Sequence, residues 1–173
     1  MRPLERVLVW LPVAIVIAAA MDLWAALLHG KIWHRWLWVV HRSHHAERTG
    51  RFEANDALSV LHAPIAIALV LYGCRGPAGV LREVAFGVGL GMTAFGLSYL
   101  VVHDGLVHKR LPVRGLRRLP FMREIVRAHL VHHTGARGGP PYGLFSGPWE
   151  LARRERRREE AAAITSAAGG DVS

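Results

Sequence analysis

Residues 7–34 read VLVWLPVAIVIAAAMDLWAALLHGKIWH, an apolar run that ends in a pair of histidines. From Val7 to Leu28 only Pro12 and Asp22 interrupt the apolar residues. A helix of this length, rising 1.5 Å per residue, crosses a hydrocarbon core about 30 Å thick. The run is longer than the apolar region of an ordinary cleaved signal peptide, and the histidine pair follows it directly. We therefore interpret it as a retained membrane span.

Two further apolar runs follow, Leu58–Cys74 and Val84–Val102. The second of the three runs is marginal in length, and the third is long enough to span a bilayer. Gly87 and Gly91 have the spacing that lets membrane helices approach closely, and Pro64 predicts a bend in the second run. The pattern predicts an all-α membrane protein with three transmembrane helices, or with four.

The basic residues predict the orientation of these spans. Of the 22 Lys and Arg residues, five lie between the first two runs and thirteen follow His103, whereas the N-terminus and the remaining loop carry two each. By the positive-inside rule, the N-terminus lies outside, while the 29–56 loop and the C-terminal third are cytoplasmic. We expect a multi-pass protein of the cell (inner) membrane.

Ten of the eleven histidines fall into four motifs, all on the predicted cytoplasmic side of the spans. HRSHH (41–45) and HLVHH (129–133) share the pattern His-x-x-His-His, which places three imidazoles on one helix face. HGKIWH (29–34) and HDGLVH (103–108) contain His-x4-His, whose members lie about 140° apart on a regular α-helix. Each of these pairs should therefore straddle the site or bridge a helix end. The candidate metal ligands are His29, His34, His41, His44, His45, His103, His108, His129, His132 and His133.

This number of imidazoles indicates more than one metal ion. A zinc ion takes three or four protein ligands, whereas two ions with about five ligands each would use all ten histidines. Neutral imidazole suits iron, copper, nickel and zinc, and the single cysteine, Cys74, excludes an internal disulfide and a cysteine-based metal site. We predict a cytoplasmic histidine-rich di-metal site. His62 stands apart, and we interpret it as a satisfied buried histidine, with a substrate-channel lining as the alternative.

Three polar residues are candidate hydrogen-bond partners of the ligands: Asp22, Asn55 and Asp104. Asp22 lies seven residues before His29, on nearly the same helix face. A carboxylate inside a span is costly and is usually paired, so Asp22 could equally contact a neighbouring span or serve a structural role. Asn55 and Asp56 also predict the N-cap of the second run.

The C-terminal third predicts an amphipathic helix and a tail. Leu116–His133 reads as an amphipathic helix that lies at the membrane interface or packs under the spans, with Arg118, Arg123 and Arg127 opposite an apolar side. That apolar side comprises Met122, Ile125, Val126, His129 and Leu130. We predict one membrane domain over residues 1–151. Residues 152–173, which include RRERRREE, are expected to form a charged, disordered tail, with binding to anionic lipid as the alternative.

At this point the chain resembles the bacterial β-carotene hydroxylases of the membrane-bound di-iron fatty acid hydroxylase superfamily. The resemblance runs from about Met21 to Leu144. It rests on HGKIWH, HRSHH, GRFEAND (50–56), SYLVVHDGLVHKR (98–110) and AHLVHH (128–133). The segment GARGGPPYGLFSGP (135–148) departs from the family pattern.

The resemblance implies a non-haem di-iron monooxygenase in which the ten motif histidines hold two irons and no other residue is catalytic. The enzyme would use O2 and electrons from reduced ferredoxin to hydroxylate carbon 3 of β-ionone rings, converting β-carotene to β-cryptoxanthin and zeaxanthin. We expect a carotenoid from the bilayer, the lipid membrane and a ferredoxin-type donor as partners, and no nucleic acid. The alternatives are a fatty acid or sterol hydroxylase, a carotenoid ketolase, a histidine-rich metal transporter or sensor, and a haem-binding cytochrome.

Overall fold

The computed structural model describes residues 1–47, 50, 52–135 and 137–169. Arg48 and Arg51 of the first basic loop, and the last four residues of the predicted tail, lie outside this part of the chain. Within it, the regular elements are helices. They are α1 (Pro3–Leu28), π1 (His29–Trp33), α2 (Trp38–His45), α3 (Asp56–Ser59), α4 (Ala63–Cys74), α5 (Val80–Tyr99), π2 (Leu100–Val107), a 3₁₀ helix (Arg114–Arg118), α6 (Pro120–His132) and α7 (Gly147–Gly169).

Three helical stretches are long and apolar enough to cross a membrane: Pro3–Trp33, Asp56–Cys74 and Val80–Val107. They match the three predicted spans, with a fourth absent from the described ranges. The all-α membrane fold is therefore confirmed.

Helix α5 packs between α1 and α4, and glycines permit the close approach. A Cβ added at Gly87 would lie 2.6 Å from the carbonyl oxygen of Trp10, and one at Gly91 would lie 2.5 Å from that of Ala14. These are the two glycines that the sequence identified as a packing face. Gly89 performs the same role toward α4, which the spacing alone did not reveal.

The second span is interrupted rather than bent. Helix α3 ends at Ser59 and α4 begins at Ala63, so Pro64 lies in the first turn of α4. The prediction of a proline bend inside one helix is wrong here. Proline suits a first helical turn because the N–H that it lacks would have no partner within the helix.

The first and third spans end in π-helical turns. The His34 N–H donates to the His29 carbonyl at 3.0 Å, and the His108 N–H donates to the His103 carbonyl at 2.9 Å. In these hydrogen bonds the N–H of residue i+5 donates to the carbonyl of residue i, whereas in an α-helix the donor is residue i+4. The assumption of a regular helix, with the two histidines about 140° apart, is therefore wrong, because the wider turn brings residues i and i+5 toward one face.

Helix α6 covers the end of the third span. Ile125 and Val126 join a buried core with Val102, Leu106, Val107 and Leu144. The predicted amphipathic helix is present, but it begins at Pro120 rather than Leu116. Leu130, placed on the apolar side by the sequence pattern, is 55% exposed.

Helix α7 occupies the region expected to be a disordered tail. It continues to Gly169, although we expected order to end near Ala152. Its Ala, Glu and Arg residues have high helix propensity. Leu151 is buried, and Arg127 of α6 forms an ion pair with Glu155 of α7 at 2.6 Å, so tertiary contacts hold the start of this helix.

Candidate metal centre

Nine histidines form two groups. Within each group, every residue offers one ring nitrogen, and these nitrogens all lie within 4.8 Å of one another. The first cluster comprises His29, His34, His41, His45 and His132, and the second cluster comprises His44, His103, His108 and His129. Each cluster contains one of the two His-x4-His pairs, which the π-helical turns at the ends of the first and third spans carry.

Both His-x-x-His-His motifs are divided between the clusters. In HRSHH, His41 and His45 belong to the first cluster while His44 belongs to the second. In HLVHH, His132 belongs to the first and His129 to the second. The three imidazoles that each motif was expected to place on one helix face are therefore not directed at one metal position, because neighbouring residues on each helix point to the two sides of a shared centre.

His133 lies between the clusters. Its Nε2 is 2.9 Å from Nε2 of His129, and its ring stacks on His45 with 4.3 Å between centroids. It therefore borders the second cluster, without belonging to the group of four.

The ring nitrogens that converge are the Nε2 atoms. In the first cluster, His41 Nε2 is 3.0 Å from that of His29, 3.2 Å from that of His34 and 3.3 Å from that of His45. In the second cluster, the Nε2 atoms of His103 and His44 are 3.2 Å apart. Ligands bound at right angles around one ion, at about 2.1 Å each, lie about 3 Å from one another.

The opposite ring nitrogens are held by acceptors. In the first cluster, Nδ1–H of His29 donates to the Tyr142 carbonyl at 3.0 Å, and Nδ1–H of His132 donates to the Gly139 carbonyl at 2.6 Å. Such bonds fix the ring orientation and the tautomer of a metal-binding histidine. The segment after HLVHH, whose role the sequence left open, thus supplies two of the acceptors.

Asn55 and Asp104 contact histidines, as candidate partners of the ligands should. The Asn55 side-chain oxygen accepts from His41 Nδ1 at 2.7 Å, so the side chain does not cap α3. Asp104 Oδ1 accepts from His103 Nδ1 at 2.6 Å.

Asp22 plays a different part. Its carboxylate accepts from the backbone N–H groups of Leu144, Phe145 and Ser146 at 2.9 to 3.2 Å. This anchors the segment that carries Tyr142 to the middle of the first span. The buried charge is thus satisfied by backbone donors rather than by an imidazole.

The environment favours the neutral form of five of these imidazoles. Burial, aided by repulsion from neighbouring imidazoles, lowers the pKa of His45 and of His133 to about 3 and that of His108 to about 2. Burial also lowers the pKa of His41 to about 4 and that of His132 to about 3. Each therefore presents a lone pair at neutral pH, the form that binds metal.

The donor set fits a cation. His29 and His41 both carry their proton on Nδ1, so their Nε2 lone pairs face one another at 3.0 Å. Two acceptors at that distance repel, and a cation between them turns the repulsion into coordination. A largely buried all-imidazole set suits iron, copper, nickel or zinc.

A small cavity of about 10 Å³ lies on the span side of both clusters. His29 of the first cluster and His103 and His129 of the second reach it. The remaining lining is mainly aromatic or aliphatic: Ala25, Trp33, Tyr99, Tyr142 and Leu144. An apolar group at this point touches both clusters.

His62 lies away from the clusters. It is half-buried, and its Nε2 accepts from the indole N–H of Trp24 at 3.0 Å. It is therefore satisfied, as expected, although it is less buried than expected.

The structure also adds residues that sequence reasoning missed. Tyr142 supplies an acceptor, and Glu53 and Arg110 lie behind the second cluster. The strings GRFEAND and SYLVVHDGLVHKR contain Glu53 and Arg110, but nothing in the sequence pairs them.

Comparisons of the sequence with known proteins identify relatives of this chain. The "Beta-carotene hydroxylase" of Pantoea ananas is 36% identical over 165 residues, covering 92% of this chain and 91% of that protein. The "Beta-carotene 3-hydroxylase 1, chloroplastic" of Arabidopsis thaliana is 47% identical over 134 residues, covering 78% of this chain and 43% of that protein. The corresponding protein of Gentiana lutea is 44% identical over 149 residues, covering 86% and 46%.

The chain thus spans less than half the length of these plant relatives. No solved structure matches it. Residues 14–152 match the fatty acid hydroxylase family, a range that contains all ten histidines of the four sequence motifs. The chain therefore belongs to the fatty acid hydroxylase family.

Proposed function

We propose that this protein is a β-carotene 3-hydroxylase that holds two non-haem irons. The observation that carries the proposal is the convergence of imidazole lone pairs, in two groups, beside an apolar cavity at the ends of membrane spans. The names of the Pantoea and Arabidopsis relatives favour a carotene over a fatty acid or sterol. A haem site would need two axial histidines rather than two groups of four and five.

The ten motif histidines are the proposed ligands: the nine of the two clusters, and His133 as a fifth ligand of the second iron. Two bound irons would supply the oxidising chemistry, in which O2, two electrons and two protons would convert a C–H bond of the ring into C–OH and release one water. Asn55, Asp104 and the Tyr142 carbonyl orient three of the imidazoles and keep their protons on Nδ1.

The cavity is the proposed position of the reacting carbon. Its volume is that of about one water molecule, so a ring enters only when the lining side chains move apart. Trp33, Tyr99 and Leu144 would then surround the ring and exclude water from the clusters. A carotenoid can approach this point along the apolar spans without leaving the bilayer.

The proposed location is the cell (inner) membrane, with the N-terminus outside and the centre in the cytoplasm. The support is the concentration of Lys and Arg at the histidine-bearing end of the spans. Exposed Lys109, Arg114 and Arg117 belong to this basic surface and would favour an acidic, ferredoxin-type electron donor. Residues 1–151 would form one membrane domain.

Expression in cells that accumulate β-carotene, together with a competent ferredoxin, tests the function. We expect β-cryptoxanthin and zeaxanthin in the pigment extract and about two irons per chain in the purified protein. Ketocarotenoids in their place would identify a ketolase. If β-carotene stays unchanged while iron is present and fatty acids or sterols are hydroxylated, the proposed substrate is wrong.

The position of the substrate can be tested separately. Ala25→Phe fills the cavity, and we expect it to abolish hydroxylation while the iron content stays at the wild-type level. Ala20→Phe, at an exposed position of the same helix, is the control and should retain activity. Equal activity in both variants would show that the ring binds elsewhere.

A further inference from the structure

The two clusters differ in what lies behind them. In the first cluster, His29, His41 and His132 donate to neutral oxygens of Tyr142, Asn55 and Gly139. In the second cluster, the partners are carboxylates: Asp104 accepts from His103 Nδ1 at 2.6 Å, and Glu53 faces His44 Nδ1 at 3.7 Å.

One arginine connects these carboxylates. Arg110 contacts Glu53 at 2.8 Å, Asp56 at 2.7 Å and Asp104 at 3.6 Å, and its side chain is largely buried. Its backbone N–H also donates to the Asp104 carbonyl at 2.8 Å. The guanidinium group thus joins the 53–56 segment to the end of π2, which are far apart in the sequence.

The residues on the other side of this network are a ligand pair. His44 and His103 bring their Nε2 atoms to 3.2 Å, and their rings stack. A carboxylate behind a ligating imidazole raises its basicity and fixes its orientation. A planar guanidinium suits the connecting role because its donors form a rigid fork that matches two carboxylates at once.

We propose that Arg110 is a positioning residue, which holds Glu53 and Asp104 against His44 and His103 and thereby sets the metal affinity of the second cluster alone. This inference rests on the proposed di-metal centre, but it does not depend on the substrate. The network gives the two metal positions different affinities: the second cluster has anionic support, while the shown partners of the first are neutral.

Titration of the metal-free, full-length protein with Co(II), in competition with a chelator, tests the proposal. We expect two binding steps in the wild type. Arg110→Gln should weaken one step by up to about 10- to 100-fold, the usual effect of losing the partners of ligating histidines, here Glu53 and Asp104, and leave the other unchanged. Arg110→Lys keeps the positive charge but loses the forked pair of donors, so its affinity at that step should lie between those of the wild type and Arg110→Gln.

The matched control is Arg127→Gln. Arg127 of α6 also lies between two carboxylates, Glu124 of α6 and Glu155 of α7, but these do not contact the histidine ring nitrogens. Both binding steps should therefore remain at wild-type values. If Arg110→Gln leaves both steps unchanged, or weakens both equally, the proposal is wrong.

Two single-site backgrounds assign the affected step. In His29→Ala, which breaks the first cluster, Arg110→Gln should still weaken the remaining step. In His103→Ala, which breaks the second, it should have no further effect. The reverse pattern would overturn the assignment.

Asp104→Asn provides an independent variant if Arg110→Gln fails to fold. It keeps an acceptor for His103 but removes the charge, and it should also weaken one step only. Unchanged steps in Asp104→Asn would overturn the role of the carboxylate. Two Co(II) steps without any hydroxylation would separate failure of the proposed function from failure of this inference.

Discussion

Removal of the Asn55 side-chain oxygen should selectively weaken metal binding at the first cluster. Asn55 is 2% exposed and accepts from His41 Nδ1 at 2.7 Å. His41 is central, because its Nε2 lies within 3.3 Å of the Nε2 atoms of His29, His34 and His45. An unfixed His41 ring therefore disturbs most of the cluster.

The magnitude follows from this geometry. Asn55→Leu keeps a similar shape but leaves a buried N–H without an acceptor, which costs about 1–3 kcal/mol. Metal binding requires His41 to hold its ligating orientation, so this cost subtracts from the binding free energy. The affinity of the first cluster for its metal therefore falls about 10- to 100-fold, since each tenfold change in affinity corresponds to about 1.4 kcal/mol.

Chelator competition with Co(II) on the detergent-solubilised protein measures the effect. One of two steps should weaken in Asn55→Leu, whereas Asn55→Asp, which retains an oxygen acceptor, should bind at least as well as the wild type. The reasoning is refuted if Asn55→Leu binds both ions normally, or if the Asp and Leu variants lose affinity alike.

The remaining predictions concern the ligands, the helix packing and the pH dependence. His132→Ala should lose iron and hydroxylation yet still insert into membranes, whereas His62→Ala should keep most of its iron; metal analysis of both variants checks this, and the opposite result would contradict the ligand set. Gly91→Leu should destabilise the protein by about 1–3 kcal/mol or more, because α1 and α5 must separate, while Gly96→Leu, where an added Cβ meets nothing within 4 Å, should be neutral in thermal unfolding. The metal-free protein should lose stability as the pH falls from about 6.5 toward 3, because the unfolded chain takes up protons on its histidines while burial lowers the folded pKa of groups such as His132 to about 3. A flat profile of unfolding temperature over that window would show that these histidines are not buried in the metal-free state.

Much of the architecture was predictable because membrane spans follow from local composition. The apolar runs are long enough to cross a bilayer whatever their neighbours, and Gly87 and Gly91 reveal their packing face by spacing alone. The second span shows the limit. Its length and apolar character were clear, but the interruption between Ser59 and Ala63 was not.

The candidate site was predictable as a set but not as an arrangement. Histidine is rare enough that four histidine motifs on one predicted side of the spans indicate the candidate ligands before any folding is considered. Their division into two clusters was not predictable, because the direction of each side chain depends on helix geometry. The π-helical turns at His29 and His103 change that geometry through backbone hydrogen bonds that no residue pattern announces.

The sequence by itself determined an all-α membrane protein with three apolar spans and ten histidines in four motifs outside them, since hydropathy and residue type are local properties. The tertiary structure alone decided which imidazoles share a cluster, that Asn55 supports one cluster and Asp104 the other, and that Arg110 joins carboxylates 57 and 6 residues before it in the chain. The contacts that decide this arrangement, such as that between Glu53 and Arg110, connect segments distant along the chain, and only folding brings such segments within hydrogen-bonding distance.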